Sequence, residues 1–574
     1  MVSEKENFFY NPNYEDFLVE YTGNFDEEIK NVSYAYGKAI DQDYAIVAVE
    51  KGRYEELVSS QDFIIYAVPR GIFTLEALTP IDAGNFENVI QNPYNNLSGS
   101  GILVGIVDTG IDYLNSEFIR EDDTTRIDYL WDQTIEPTNE NNLVFGVEYS
   151  KEEIDNAIKL SKEGKDPYSI VKTKDTNGHG TNMASIVGAR GKDIEVKGVM
   201  SDCTFAVVKL KENEVYKQVL RANGITNVPV YSNSDIVVGM LYILRKSREL
   251  RKPLVILLAL GSNFSAHSGS SVIEKYIERV SSYRGVAVVT GTGNQGAAEL
   301  HASGRILQNG LTNNVDLKID KAQTELEVEI WIRRPNLMSI NIISPSGEEI
   351  GNVPIETENK QIFNFIYENT GVSIQYISPD EINGDENIKL IFSNIKPGIW
   401  TLILKGEYID DGRYDIWLPV KSLNQEGTKF LNSDPYTTLV IPSTSKGVIS
   451  VGYYNQENVS ILSESGKGYT QDDRIKPDLV AGGIRQAVTN PGGGVNYISG
   501  SCVAAAVTAG ACGLILEWGI IDKNDISMTS EKIRTYLIAG SRKRQGDEYP
   551  NPNWGYGILD LEGVFKQISA TKWK

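Results

Sequence analysis

The stretch GILVGIVDTGID, residues 101–112, decides the fold. Residues 101–107 are apolar or glycine with no alternation, which marks a strand buried on both faces, as in a parallel α/β sheet. The run ends in Asp108, a carboxylate at the strand's carboxyl end, where ligands and catalytic groups of open α/β sheets collect. CTFAVVKL (203–210), LVILLAL (254–260), GVAVVTG (285–291) and GVISVGYY (447–454) repeat the pattern. Between two of them, DIVVGMLYILRKSREL (235–250) has helical periodicity with basic residues in its last turns. An Ala-rich helix after Cys502 and a final helix near 530–540 complete an α/β body.

Two other patterns flank or interrupt that body. Residues 16–78 alternate a strand (17–21), a helical stretch, a strand (44–49), a helix led by Glu55 and Glu56, and a strand (63–68) ending at Pro69 and Gly71. That is a small α+β unit, joined to the body by the segment 79–100. Between 310 and 445 the period drops to two. TELEVEIWI (324–332), SINIISPSG (339–347), NIKLIFSNI (387–395) and GIWTLILKG (398–406) are short alternating strands bounded by turn residues, the mark of an antiparallel sandwich inserted into the body. The expected division is 1–78, with a boundary between 75 and 91, then 79–309, 310–445 and 446–574.

The 574 residues suffice for two to four domains. With 55 Lys and Arg against 77 Asp and Glu the net charge is −22, which argues against a nucleic-acid partner. Cys203, Cys502 and Cys512 are too few for a disulfide framework, and none has the spacing of a metal-ligand set, so no metal site is expected. No window approaches 18 apolar residues and no secretory signal is visible, so no membrane span is expected.

Four residues could carry chemistry. Asp108 either serves a site at its strand end or caps the turn through Thr109 and Gly110. DTG also occurs in aspartic proteases, but those need two carboxylates and this chain has one such motif. His179, in DTNGHGTNMASIVGA, is one of three histidines, with His267 and His301. Gly178 and Gly180 clear both sides of its ring, at the start of a helix whose small residues allow close approach. Cys502, in YISGSCVAAAVTAGACG, begins an Ala-rich helix, where the backbone dipole favours an anion; most free cysteines are simply buried. Asn294, in VAVVTGTGNQGAA, follows a buried strand in a Gly-rich turn, a common place for a structural asparagine. Taken together, an Asp, a His about 70 residues on, a turn Asn and a nucleophile type at a helix start follow the order of a subtilisin-type triad with an oxyanion donor.

DTGID (108–112), GHGT (178–181), GN (293–294) and GSCVAAAVTAG (500–510) resemble the Asp, His, Asn and Ser blocks of the subtilase family of serine endopeptidases. IKPDLVAGG (475–483) and NWGYGILDLEGVF (553–565) extend the match across about 79–309 and 445–574. The resemblance implies a subtilisin-like parallel sheet with flanking helices, plus an N-terminal α+β prodomain acting as intramolecular chaperone. The β insertion is similar to the jelly-roll domain of the clostridial Csp germination proteases. By the same resemblance, Asp108 orients His179, His179 is the base, and Asn294 with the backbone N–H of residue 502 stabilises the oxyanion. Ala259, Leu260 and Gly261, with Gly291, Thr292 and Gly293, line the cleft and pair with an extended peptide. No cofactor is implied, and calcium is left open.

The subgroup implies a zymogen kept in the spore that cuts off its own prodomain near Thr79 and activates the precursor of a cortex-lytic enzyme. Its own prodomain, that precursor and sister Csp proteins are the implied partners. The alternative from another class is a pseudoprotease acting as a germination scaffold. One departure bears on this choice: Cys502 stands where the family has its nucleophilic serine. It reads as an engineered or natural thiol substitution, or as a step toward a non-catalytic protein, and the retained Asp108 and His179 favour the first two. The expected activity is an acyl-enzyme at best, with slow turnover. Ala506 and Gly482, each in place of a family proline, are smaller departures.

Overall fold

In the computed structural model, which describes residues 8–67, 72–75, 83–90, 97–137, 143–357 and 359–572, the buried apolar runs assemble into a nine-stranded sheet. Leu103–Asp108 is hydrogen-bonded in parallel to Leu254–Leu258 on one side and to Thr204–Lys209 on the other. Val286–Gly291 and Ile449–Asn455 continue the parallel array beyond Leu254–Leu258, and Ile127–Asp132 does so beyond Thr204–Lys209. Every residue of the strands Leu103–Asp108, Leu254–Leu258 and Val286–Gly291 is buried. Helices on both faces account for that. Asn233–Leu250 and Val272–Ser281 pack on one face, while His179–Gly188 and Ser501–Leu516 pack on the other.

Ser501–Leu516 is buried along its whole length. With the turn that follows, Ser501–Ile521 is, among the described residues, the one helix long and apolar enough to cross a membrane. It lies inside the body instead, because its alanines and glycines let Val199 and Met200 close on it. The sequence reading had expected no such window. Nor is Ser530–Gly540 the last helix: Leu561–Lys572 follows it.

The N-terminal unit is a four-stranded antiparallel sheet in the order Ala35–Ala39, Tyr44–Glu50, Tyr14–Tyr21, Ile64–Ala67. Ala35–Ala39 was not expected as a strand; AYGKA has little β propensity and forms only an edge. Phe9, Leu18, Ile40 and Ile46 join the core formed by the helices Asn233–Leu250 and Val272–Ser281. Charge fixes the docking: Lys211 Nζ sits 2.5 Å from Asp16 and donates to the Phe9 carbonyl at 3.0 Å, and Arg279 pairs with Asp43 at 2.7 Å.

The inserted unit is two antiparallel sheets, one of six strands and one of four, closed over a core that includes Trp400, Leu390 and Ile340. Its strands run from His301–Arg305 to Lys429–Phe430, so they begin ahead of residue 310 and end well before 445. His301–Arg305 (HASGR) has no alternating apolar pattern, which hid it from the sequence reading. Trp417, at the end of Arg413–Trp417, fastens this unit to the body. Its ring is stacked between His267, 4.2 Å away, and His301, 4.9 Å away.

Candidate active site

Asp108 ends its strand and His179 begins the helix His179–Gly188, so strand and helix deliver a carboxylate and an imidazole to the same place. His179 Nδ1 lies 2.8 Å from Asp108 Oδ1 and 2.9 Å from Oδ2. Thr109 N–H donates to Asp108 Oδ1 at 2.7 Å, which fixes the carboxylate. Asp175 holds the loop before the helix: it accepts from Gly178 N–H at 2.7 Å, and from Thr181 N–H and hydroxyl at 3.0 and 2.7 Å. Gly180 is required by contact, since a Cβ there would sit 2.1 Å from the Gly110 carbonyl oxygen. Asp175 escaped the sequence reading, although its place three residues before the glycine that opens GHGT is a capping signal.

The His179 ring also hydrogen-bonds Cys502. With Nδ1 committed to the carboxylate, the ring bridges Asp108 and the sulfur. Burial works against the imidazolium, but the Asp108 carboxylate first, and then Cys502, outweigh it and hold the His179 pKa well above its ordinary value. Cys502 lies in the first turn of Ser501–Leu516, entered through Gly500 at φ 142°. Asn294 reaches that turn, its Oδ1 accepting from Ser501 N–H at 3.3 Å. The Nδ2 amide of this side chain is its donor group, the chemistry an oxyanion requires. Gly291 is also a contact glycine, for a Cβ there would come within 2.8 Å of Ser501.

The other expected residues fall in two groups. Leu260–Gly261 is a short strand directly after Ala259; Gly291 ends the neighbouring sheet strand Val286–Gly291, and Thr292 and Gly293 follow it, with Val440 N–H donating to the Thr292 carbonyl at 3.0 Å. The opposite wall, Val230–Ser232, was missed; three residues following a proline give almost no period to read. Between these two walls lies a piece of the chain itself. Ile72–Leu75 pairs antiparallel with both, Leu75 opposite Leu260, Thr74 opposite Gly261 and Val230, and Ile72 opposite Ser232. An extended segment therefore already occupies the position of an added strand. Thr79, where the cut was expected, lies outside the described residues.

The remaining cysteines and histidines stand apart from this chemistry. Cys203 and Cys512 are buried free thiols, the first pushed up to about 11 by burial. His267 and His301 are committed to the Trp417 stack. Among the described residues, no group of three or more His, Cys, Asp or Glu side chains is placed to hold a metal ion.

This geometry agrees with what the chain is similar to. The CspB protease of Clostridium perfringens is 31% identical and superposes with a TM-score of 0.76, over 85% of this chain and 97% of that one. The membrane-bound transcription factor site-1 proteases of Mus musculus and Rattus norvegicus are 30% identical over 143 residues, which is 24% of this chain and 13% of theirs. The chain thus spans a small part of the length of those relatives. The model of the subtilase family matches residues 99–359 and 424–557, which contain Asp108, His179, Asn294 and Cys502. With its parallel sheet, its Asp108–His179 pair and its four ordered blocks, the chain belongs to the subtilase family of peptide hydrolases.

Proposed function

We propose that the protein is a subtilase zymogen that acts first on itself. His179 would take the proton of the nucleophile at position 502, Asp108 would hold the ring in the required tautomer, and Asn294 with the backbone N–H of residue 502 would bind the oxyanion. The observation that carries this reading is the His179 ring, bonded to Asp108 through Nδ1 and to Cys502 as well. The strand Ile72–Leu75 supports self-cleavage, because its backbone lies between the two cleft walls as a substrate's would. The scissile bond then falls C-terminal to Leu75, in the expected window of 75–91, and the N-terminal unit is the prodomain. The resemblance of the inserted unit to that of the clostridial Csp germination proteases implies a role in spore germination, with a cortex-lytic precursor as the protein substrate and sister Csp proteins as partners, and the likeness to the CspB protease of Clostridium perfringens supports that subgroup.

Cys502 favours a second reading, a pseudoprotease that scaffolds germination proteins. Against it stands the intact Asp108–His179 pair, which a scaffold does not need. The two separate in one preparation. Purified Cys502→Ser chain is expected as two fragments whose junction, by N-terminal sequencing, lies within 75–91, while Cys502→Ala stays full length. A Cys502→Ser chain that remains whole under native conditions supports the scaffold.

A further inference from the structure

At the amino end of the strand Ile449–Asn455, the helix Ser530–Gly540 and the segments around residues 446 and 476 form a cleft of about 320 Å³. Four cationic side chains line it, Lys446, Arg474, Lys476 and Arg534, against one carboxylate, Asp478. Ile538 and Tyr556 supply uncharged wall. In a chain of net charge −22, such a convergence of positive charge runs against the average field.

Two of the four cations are matched. Lys476 is buried and donates to Asp478 Oδ2 at 2.6 Å and to the Val448 carbonyl at 2.7 Å, while Ser450 N–H donates to the same carboxylate oxygen at 2.8 Å. Arg474 donates from Nε to Asp472 at 2.7 Å and from Nη2 to the Ser268 carbonyl at 2.6 Å. The other two stand differently. Lys446 is exposed and, among the described residues, has no ion-pair partner. Arg534 is fixed by Nη1, which donates to the Lys446 carbonyl at 2.6 Å. Its approaches to carboxylates are long, 4.0 Å to Asp478 and 3.9 Å to Glu531, and Glu531 is 80% exposed, where an ion pair contributes little. Among the described residues, Arg534 Nε and Nη2, Arg474 Nη1 and Lys446 Nζ therefore donate no hydrogen bond.

We infer that this cleft binds a small inorganic oxyanion of double charge, of the sulfate or phosphate type, on Arg534, Lys446 and the free Nη1 of Arg474. Two unmatched cations call for two negative charges, and donors arriving from three side chains suit an anion that accepts through several oxygens. The bond from Arg534 to a backbone carbonyl holds its guanidinium in place before an anion arrives, which lowers the ordering cost of binding. Crowding of like charge points the same way. Burial holds the Lys476 pKa down to about 8; Asp478 pulls it up, while Arg534 and Arg474 push it further down. An anion beside those two guanidinium groups offsets that repulsion. Nothing in this site depends on the chemistry at Cys502.

The test is equilibrium dialysis of the full chain against radiolabelled sulfate at low ionic strength, with unlabelled phosphate and chloride as competitors. One saturable sulfate per chain is expected, displaced by phosphate and retained in chloride of the same ionic strength. Lys446→Gln and Arg534→Gln, each checked for a native circular dichroism spectrum, should each weaken sulfate by about tenfold or more, the worth of one charge-assisted hydrogen bond. Lys446 is exposed, so its variant decides the matter if Arg534→Gln does not fold. Sulfate that fails to saturate at one per chain, that chloride displaces as readily as phosphate does, or that binds a folded variant as tightly as the parent overturns the assignment.

Discussion

Cys502→Ser is expected to raise the first-order rate at which the chain cuts itself by about 100-fold or more. The physical reason lies in the attacking atom and its partner. Sulfur is larger than oxygen and more distant from Cβ, so a carbonyl held by donors placed for a serine is displaced when sulfur attacks. Displacements near 1 Å cost about 100-fold. Proton traffic adds to the loss. Against burial, Asp108 and then Cys502 raise the His179 pKa, so the ring beside the thiol holds a proton more firmly and returns it to the departing amine less readily. A serine gives up its proton only as the bond forms, and the ring then returns it to the departing amine. Quenched time courses of the two chains, read by gel densitometry, give the ratio directly. Equal rates would mean that the identity of the atom at 502 does not govern the reaction.

In the serine chain, Asp108→Asn is expected to lower kcat on an added peptide by about 10,000-fold with little change in KM. The carboxylate accepts from Nδ1–H through either oxygen, at 2.8 and 2.9 Å. An asparagine can turn its NH2 toward the ring and favour the other tautomer, which removes the base from the nucleophile. The pH profile should move as well. Only neutral His179 can act as base, so the rate rises as pH climbs through the pKa of this ring. Asp108 is the foremost group raising that pKa. Its loss lowers the pKa, so the acid limb of the Asp108→Asn profile should lie at lower pH even as its plateau drops. A profile that keeps the parental limb would mean that Asp108 does not set the charge on His179.

Much of the fold was legible because burial writes itself into the chain. Strands covered on both faces, such as Leu103–Asp108 and Leu254–Leu258, allow no polar side chain except at their ends, and Asp108 marked such an end. The helix starts at His179 and Ser501 were equally visible, since glycines that permit close approach precede or flank both. Pairing between distant segments was not legible. Nothing in Ile72–Leu75 announces that its partners are Val230–Ser232 and Leu260–Gly261, strands too short to carry a period. The edge strands Ala35–Ala39 and His301–Arg305 were missed because one ladder of hydrogen bonds, rather than side-chain burial, holds them in place. Asn294 lies in the bend after Val286–Gly291, and its bond to Ser501 N–H, which links distant parts of the chain, emerges only from the packed sheet.

The claim on which the rest depends is that the His179 ring serves the atom at position 502. It is tested most directly by the self-cleavage rate of the Cys502→Ser chain with and without that ring. The serine chain should yield two fragments, and adding His179→Ala should slow their appearance by at least about 10,000-fold. Fragments appearing at the same rate in both chains would contradict it.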